Sequence, residues 1–168
     1  MKNIAKLITN RLPRLKVSFD KLTKKEVLVG YPQDRAVERK QDPDQPRSPM
    51  NNATLAYIHD NGSPAANIPA RPFMKPGIEA ASVRIVAQFK IAAARAIHAD
   101  DSAVEQGLNK AGLIAQASVR NTINEGIPPP LVESTLAARR RRGRMGTKQL
   151  VDTGQLRNAV NYVIREKS

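Results

Sequence analysis

The stretch Pro76–Gly126, PGIEAASVRIVAQFKIAAARAIHADDSAVEQGLNKAGLIAQASVRNTINEG, decides the fold. Ile78, Ala81, Ile85, Phe89, Ala92 and Ala96 recur at steps of three or four, which puts them on one face of an α-helix that has Pro76 near its start. Val104, Leu108, Ala111, Ala115, Val119 and Ile123 repeat the pattern, with Asp101 or Ser102 as the cap and Gly126 as the stop. Only His98-Ala99-Asp100 separates the two runs, so they fold back as an antiparallel helical hairpin. Alanine on both inward faces lets the helix axes approach closely.

Upstream, Ile4, Ile8, Leu12, Leu15, Phe19 and Leu22 mark a third amphipathic helix, which Pro13 should kink or split. Glu26–Tyr31 reads as a short, largely buried strand ended by Pro32. Residues 33–50 are polar, carry Pro43, Pro46 and Pro49 and show no period, so they form a long loop. Asn51 or Asn52 caps a short helix through Ile58 that Asn61-Gly62 stops, and Ser63–Pro72 is irregular. Downstream, Pro128-Pro129-Pro130 opens a second excursion, about 128–149. Within it a short helix covers Ser134–Arg142, and Gly143 and Gly146 flank a basic loop. Asp152 or Thr153 then caps a last helical turn, and Ala159–Ile164 forms a terminal strand with Val160, Tyr162 and Ile164 on one face. Pairing the two strands gives a small, mostly antiparallel sheet packed with the helical hairpin. The predicted class is α+β, one domain over 1–168, with extended loops as arms.

Composition limits the function. The chain has 168 residues, a net charge of +13, 4% aromatic residues, no Trp and no Cys. A core poor in large side chains favours further burial against neighbouring copies. Without Cys there are no disulfides, no thiolate nucleophile and no thiolate-bound zinc, which suits a reducing compartment. Met1–Lys6 lacks the apolar run of a signal peptide, and no segment is apolar enough for a membrane span. The protein is expected to be soluble in the cytoplasm when made, with no membrane association. Its charge favours anionic partners.

Asp152-Thr153-Gly154 after Leu150-Val151 carries the local signature of an aspartic protease. Such enzymes need two aspartates sharing one proton, with extensive β-structure around them. Only Gln155–Ser168 follows, and helix dominates what precedes. A helix cap is the better explanation. His59 and His98 are the only histidines and neither has a metal-ligand partner at helical spacing. A glycine-rich phosphate loop is absent. These features predict no catalytic residue, no metal and no cofactor. Arg139-Arg140-Arg141-Arg142, with Arg144 and Lys148, reads as a basic arm that docks on an acidic protein surface or makes non-specific DNA contact. Aromatics for base stacking and a groove-reading motif are both missing.

Three strings together resemble tailed-bacteriophage virion-morphogenesis and tail-completion proteins. Leu55–Gly62 followed by Ile68–Met74 resembles A-x-x-H-x-x-G … I-P-A-R-P-F; Pro130–Arg139 resembles P-L-S-x-x-T-L-x-x-R, with Val132 in place of Ser; Leu150–Asn158 resembles L-x-D-T-G-x-L-R-x-S. The order differs from the virion-morphogenesis proteins, where the Asp-Thr-Gly string comes first, and Asn158-Ala159 stands where Ser is usual. The resemblance implies a structural virion protein of the neck, with a tail-completion, terminator or collar role. It implies a homo-oligomeric ring, commonly sixfold, between connector or portal-side and tail-side proteins. The protein would end in the virion after assembly in the host cytoplasm. In this reading Tyr57, Arg71 and Phe73 fix the Ile68–Phe73 loop against the core, Pro72 belongs to the same structural motif, and the excursions are the assembly arms. The alternative is a small basic nucleic-acid-binding protein.

Overall fold

The structure, a computed structural model, describes residues 2–32 and 51–167. The expected loop over 33–50 lies outside the described residues. Among those described, seven α-helices accompany one two-stranded antiparallel sheet, a mostly helical α+β fold as expected. The described residues gather into two compact units, each discontinuous in sequence.

The first unit comprises Met1–Leu28, Ala81–Ala115 and Tyr162–Ser168. Helix α1, Lys2–Lys24, continues through Pro13, so the expected kink or split does not take the form of a split. A proline inside a helix costs about 3 kcal/mol through its missing donor and ring clash. Contacts downstream offset that cost: Ser18 is fully buried and donates to Asp101 Oδ1, Lys21 pairs with Asp101 and Glu105 at 3.3 and 3.2 Å, and Leu22 packs on the core.

Helix α4, Ser82–Ala96, and the first part of α5, Asp101–Glu125, form the expected hairpin. Ala92 and Ala96 are fully buried, and Ala96 packs on Val104 and Leu108. The helices are so close at Gly107 that a methyl group there would fall 2.7 Å from Ala92 Cβ. The cap of α5 is Asp100, whose Oδ1 accepts from Ala103 N at 3.0 Å, and not Asp101 or Ser102. Asp101 is engaged by Ser18 and Lys21 instead.

Strand β1, Lys25–Gly30, pairs with β2, Asn161–Glu166, and the sheet packs against α5. β1 is half-buried, with Leu28 36% exposed, where a largely buried strand was expected. The ring of Tyr162 lies on Gly112, where a methyl group would fall 2.7 Å from Tyr162 Cγ.

The second unit comprises Val29–Ala80 and Gln116–Asn161. Helix α2, Asn52–Asn61, starts where Asn51 Oδ1 accepts from Thr54 N at 2.8 Å and stops at Gly62, whose φ of +80° favours glycine. A 3-10 turn, Pro64–Ala66, follows. Helix α3, Met74–Ala80, is separate from α4; the single helix expected from Pro76 onward breaks at Ala81 (φ −99°, ψ −1°). Gly77 rather than Ile78 makes the close contact of α3, since a methyl at Gly77 would fall 2.7 Å from Val119 Cα while Ile78 is exposed. Helices α6, Glu133–Arg141, and α7, Gln155–Ala159, complete the unit. Ala56, Phe73, Val119, Ile123, Ile127, Leu156 and Val160 form its core, with Tyr31 edge-on to Phe73 at 6.5 Å. Gln116 Nε2 and Arg120 Nη2 donate to Val160 O at 2.9 and 2.8 Å and hold the chain at the start of β2.

Candidate functional site

The site of interest is built within the second unit from three separated segments. In the first, Asp60 at the end of α2 turns its carboxylate onto the next helix: Oδ1 accepts from Phe73 N at 2.7 Å and Met74 N at 3.1 Å. These are orphan donors at the start of α3, where negative charge is favoured. Arg71 N donates to His59 O at 2.7 Å. The Ile68–Phe73 segment is thus fixed at both ends of its Arg-Pro-Phe turn, and Phe73 is fully buried.

Arg71 is 6% exposed. Its Nε and Nη2 donate to Pro129 O at 3.1 and 2.9 Å, and Nη2 also reaches Pro130 O at 3.4 Å. A proline run has carbonyls and no N–H groups, so it cannot satisfy itself, and a guanidinium fork is well suited to answer it. Burial lowers the Arg71 pKa from its ordinary value.

The second segment is α6, which matches the short helix expected over Ser134–Arg142, and its arginines differ in burial. Arg139, expected as part of the docking arm, is 8% exposed. Its Nη1 donates to the carbonyls of Gly146, Lys148 and Val151 at 2.9, 2.9 and 3.3 Å, and its Nε faces Asp152 Oδ1 at 3.5 Å. Arg140 pairs with Glu133, Arg144 Nη1 meets Asp152 Oδ2 at 2.6 Å, and Lys148 Nζ donates to Asn124 O at 2.8 Å. Arg141 is exposed and Arg142 half-buried. Arg139 therefore anchors the returning chain rather than reaching outward.

The third segment is Leu150–Leu156. Asp152 and Thr153 do not serve as the expected cap. The N-cap position of α7 is Gly154, at φ +75°; Thr153 Oγ1 receives Gln155 N only at 3.4 Å, and Asp152 faces Arg139 and Arg144. Two guanidinium groups outcompete one backbone N–H for a carboxylate. Tyr57, expected to fix the loop, is 69% exposed on α2. Asp60, Arg139 and the Pro129 carbonyl hold the site in its place. The sequence signal for the last of these was the proline run itself, whose carbonyls require an outside donor.

The three segments wall one cavity of about 150 Å³. Leu55, His59 and Arg71 come from the first, Leu131, Thr135 and Arg139 from the second, and Leu150 with Asp152–Leu156 from the third. Elsewhere in the same unit Tyr31 Oη is buried without a hydrogen-bond partner among the described residues, and burial followed by the charge of Asp60 raises its pKa. Among the described residues no three His, Asp or Glu side chains gather as a metal-ligand group, and no helix is long and apolar enough to cross a membrane. In comparisons with known proteins, no family model, no curated protein and no solved structure matches the chain.

Proposed function

We propose that the chain is a structural component of the neck of a tailed-phage virion, in a tail-completion, terminator or collar role. In this reading it assembles with copies of itself into a ring, sixfold or compatible with sixfold symmetry, between connector-side and tail-side proteins. The reading assigns it no catalysis and no cofactor.

The observation that carries the reading is the meeting of the three family-like strings on one cavity and two buried arginines. Arg71 of the first string holds the carbonyls of Pro129, just ahead of the second, and of Pro130, its first residue, and Arg139 of the second holds Val151 O and faces Asp152 in the third. Residues that depend on one another in this way form a scaffold, which is what the motif of a structural family would be expected to encode.

Mass photometry and negative-stain imaging of the purified protein, alone and with tail tubes, test the reading. A ring, or capping of tube ends, is the expected result. A strict monomer that joins neither tubes nor connectors would overturn it. The alternative, a small basic nucleic-acid-binding protein, rests on the net charge of +13. DNA affinity that falls steeply with salt and is lost in Arg140→Gln with Arg141→Gln would favour that alternative.

A further inference from the structure

The cavity walled by the three strings has a chemistry of its own. Its volume of about 150 Å³ matches a space that takes a benzene-sized group, roughly six non-hydrogen atoms. Leu55, Leu131, Leu150 and Leu156 supply apolar walls. Arg71 and Arg139 line it as well, each more than nine-tenths buried.

The donor count of these arginines is incomplete. Arg71 uses Nε and Nη2 on proline carbonyls, and Arg139 uses Nη1 on carbonyls and Nε toward Asp152. These contacts do not use Nη1 of Arg71 or Nη2 of Arg139. The charges are unequal too. Asp152, the one acid in the lining, is answered by Arg139 and Arg144, whereas Arg71 touches only neutral carbonyls. A buried guanidinium with spare N–H groups and no counter-charge favours an anion, and its fork matches a carboxylate.

We propose that this cavity binds a carboxylate on a short aliphatic stem, the head meeting Arg71 and Arg139 and the stem lying along the leucines. A glutamate side chain on an acidic partner segment and a free short-chain carboxylic acid share this chemistry. The inference rests on the cavity alone and holds whether or not the chain belongs to a virion neck.

Calorimetric titration of the full chain tests it with four probes: butyrate, butyramide, an end-capped pentapeptide carrying one glutamate between leucines, and its glutamine twin. At least one carboxylate probe is expected to bind roughly tenfold or more tightly than its neutral twin. Arg71→Lys, which keeps the charge and loses the fork, weakens that binding. Thr135→Trp, which fills the cavity from α6 and leaves both arginines in place, abolishes it; Leu131→Phe serves if the first plug does not fold. Tighter binding of the peptide assigns the site to a protein partner, and tighter binding of butyrate assigns it to a small acid. Equal binding of the twins, no binding of either carboxylate at millimolar concentration, or wild-type affinity in a folded plugged variant would overturn the proposal.

Discussion

Arg71 and Pro129 stand 58 positions apart in the chain, and the guanidinium of one donates through both Nε (3.1 Å) and Nη2 (2.9 Å) to the carbonyl oxygen of the other. The pair ties the Arg-Pro-Phe turn to the proline run ahead of α6. Each half lacks something the other supplies: a buried cation without a carboxylate, and carbonyls without neighbouring N–H groups.

Removing that tie should be costly. Arg71→Ala leaves the Pro129 and Pro130 carbonyls without their charged donor, and a loss of about 2–4 kcal/mol is expected from such a bond. Arg71→Lys should fall between the two, because one ammonium cannot reproduce the fork. Urea unfolding midpoints measure both, and a change within experimental error for Arg71→Ala would show that the contact does not hold the unit.

The arginine run should divide into unlike members. Arg139→Gln abandons three backbone carbonyls and is expected to cost about 2–4 kcal/mol, whereas Arg141→Gln, at an exposed position, should stay within about 0.5 kcal/mol of wild type. Thermal denaturation of the two variants side by side gives the comparison. Equal effects would contradict the anchoring role of Arg139.

At Gly112 helix propensity and packing pull in opposite directions. Alanine is favoured over glycine inside a helix by about 1 kcal/mol, yet the added methyl would strike the ring of Tyr162. Gly112→Ala is expected to destabilise by about 1–3 kcal/mol, the range of overpacking. In Tyr162→Ala the same change should become neutral or favourable, and a double-mutant cycle on chemical unfolding reads the coupling.

Stability should decline toward both extremes of pH through one network. The Ser18 hydrogen bond, ahead of Lys21, lowers the pKa of Asp101, and Lys21 lowers that of Glu105. Both carboxylates therefore contribute stability above their unfolded pKa values, lost as pH falls through the folded ones. The Lys21 pKa is raised, first by its bond to Glu105, so its contribution is present below the unfolded value and lost as pH rises through the folded one. Lys21 and Asp101 are half-buried and Glu105 is exposed, so the effects should be modest and weaken with salt. Melting temperature against pH tests this: Asp101→Asn should flatten the acid limb and Lys21→Met the alkaline limb.

The hairpin was the most legible part of the sequence. All six residues named for the inward face of α5 are buried, because a 25-residue helix repeats its period often enough to leave little ambiguity. The break at Ala81 was not visible, since alanine continues a helical pattern as readily as it sits at a bend. The cap moved by one residue because Asp101 answers Ser18, a partner 83 positions away. The candidate site was legible as three strings and illegible as a site. Charge density suggested that Arg139 faces outward; only the return of Gly146–Val151 onto α6 makes it an anchor. Tyr57 failed for a related reason, because its neighbour Asp60 does the fixing through backbone N–H groups that no side-chain pattern reveals.

Through Nη1, Arg139 grips main-chain oxygens of the returning segment, and the one side chain it meets there is Asp152. The identities of Gly146, Lys148 and Val151 are thereby decoupled from the grip. This stretch can diversify, by natural drift or in a designed library, while one arginine preserves its path. Variation is tolerated along the strap and penalised at the buckle.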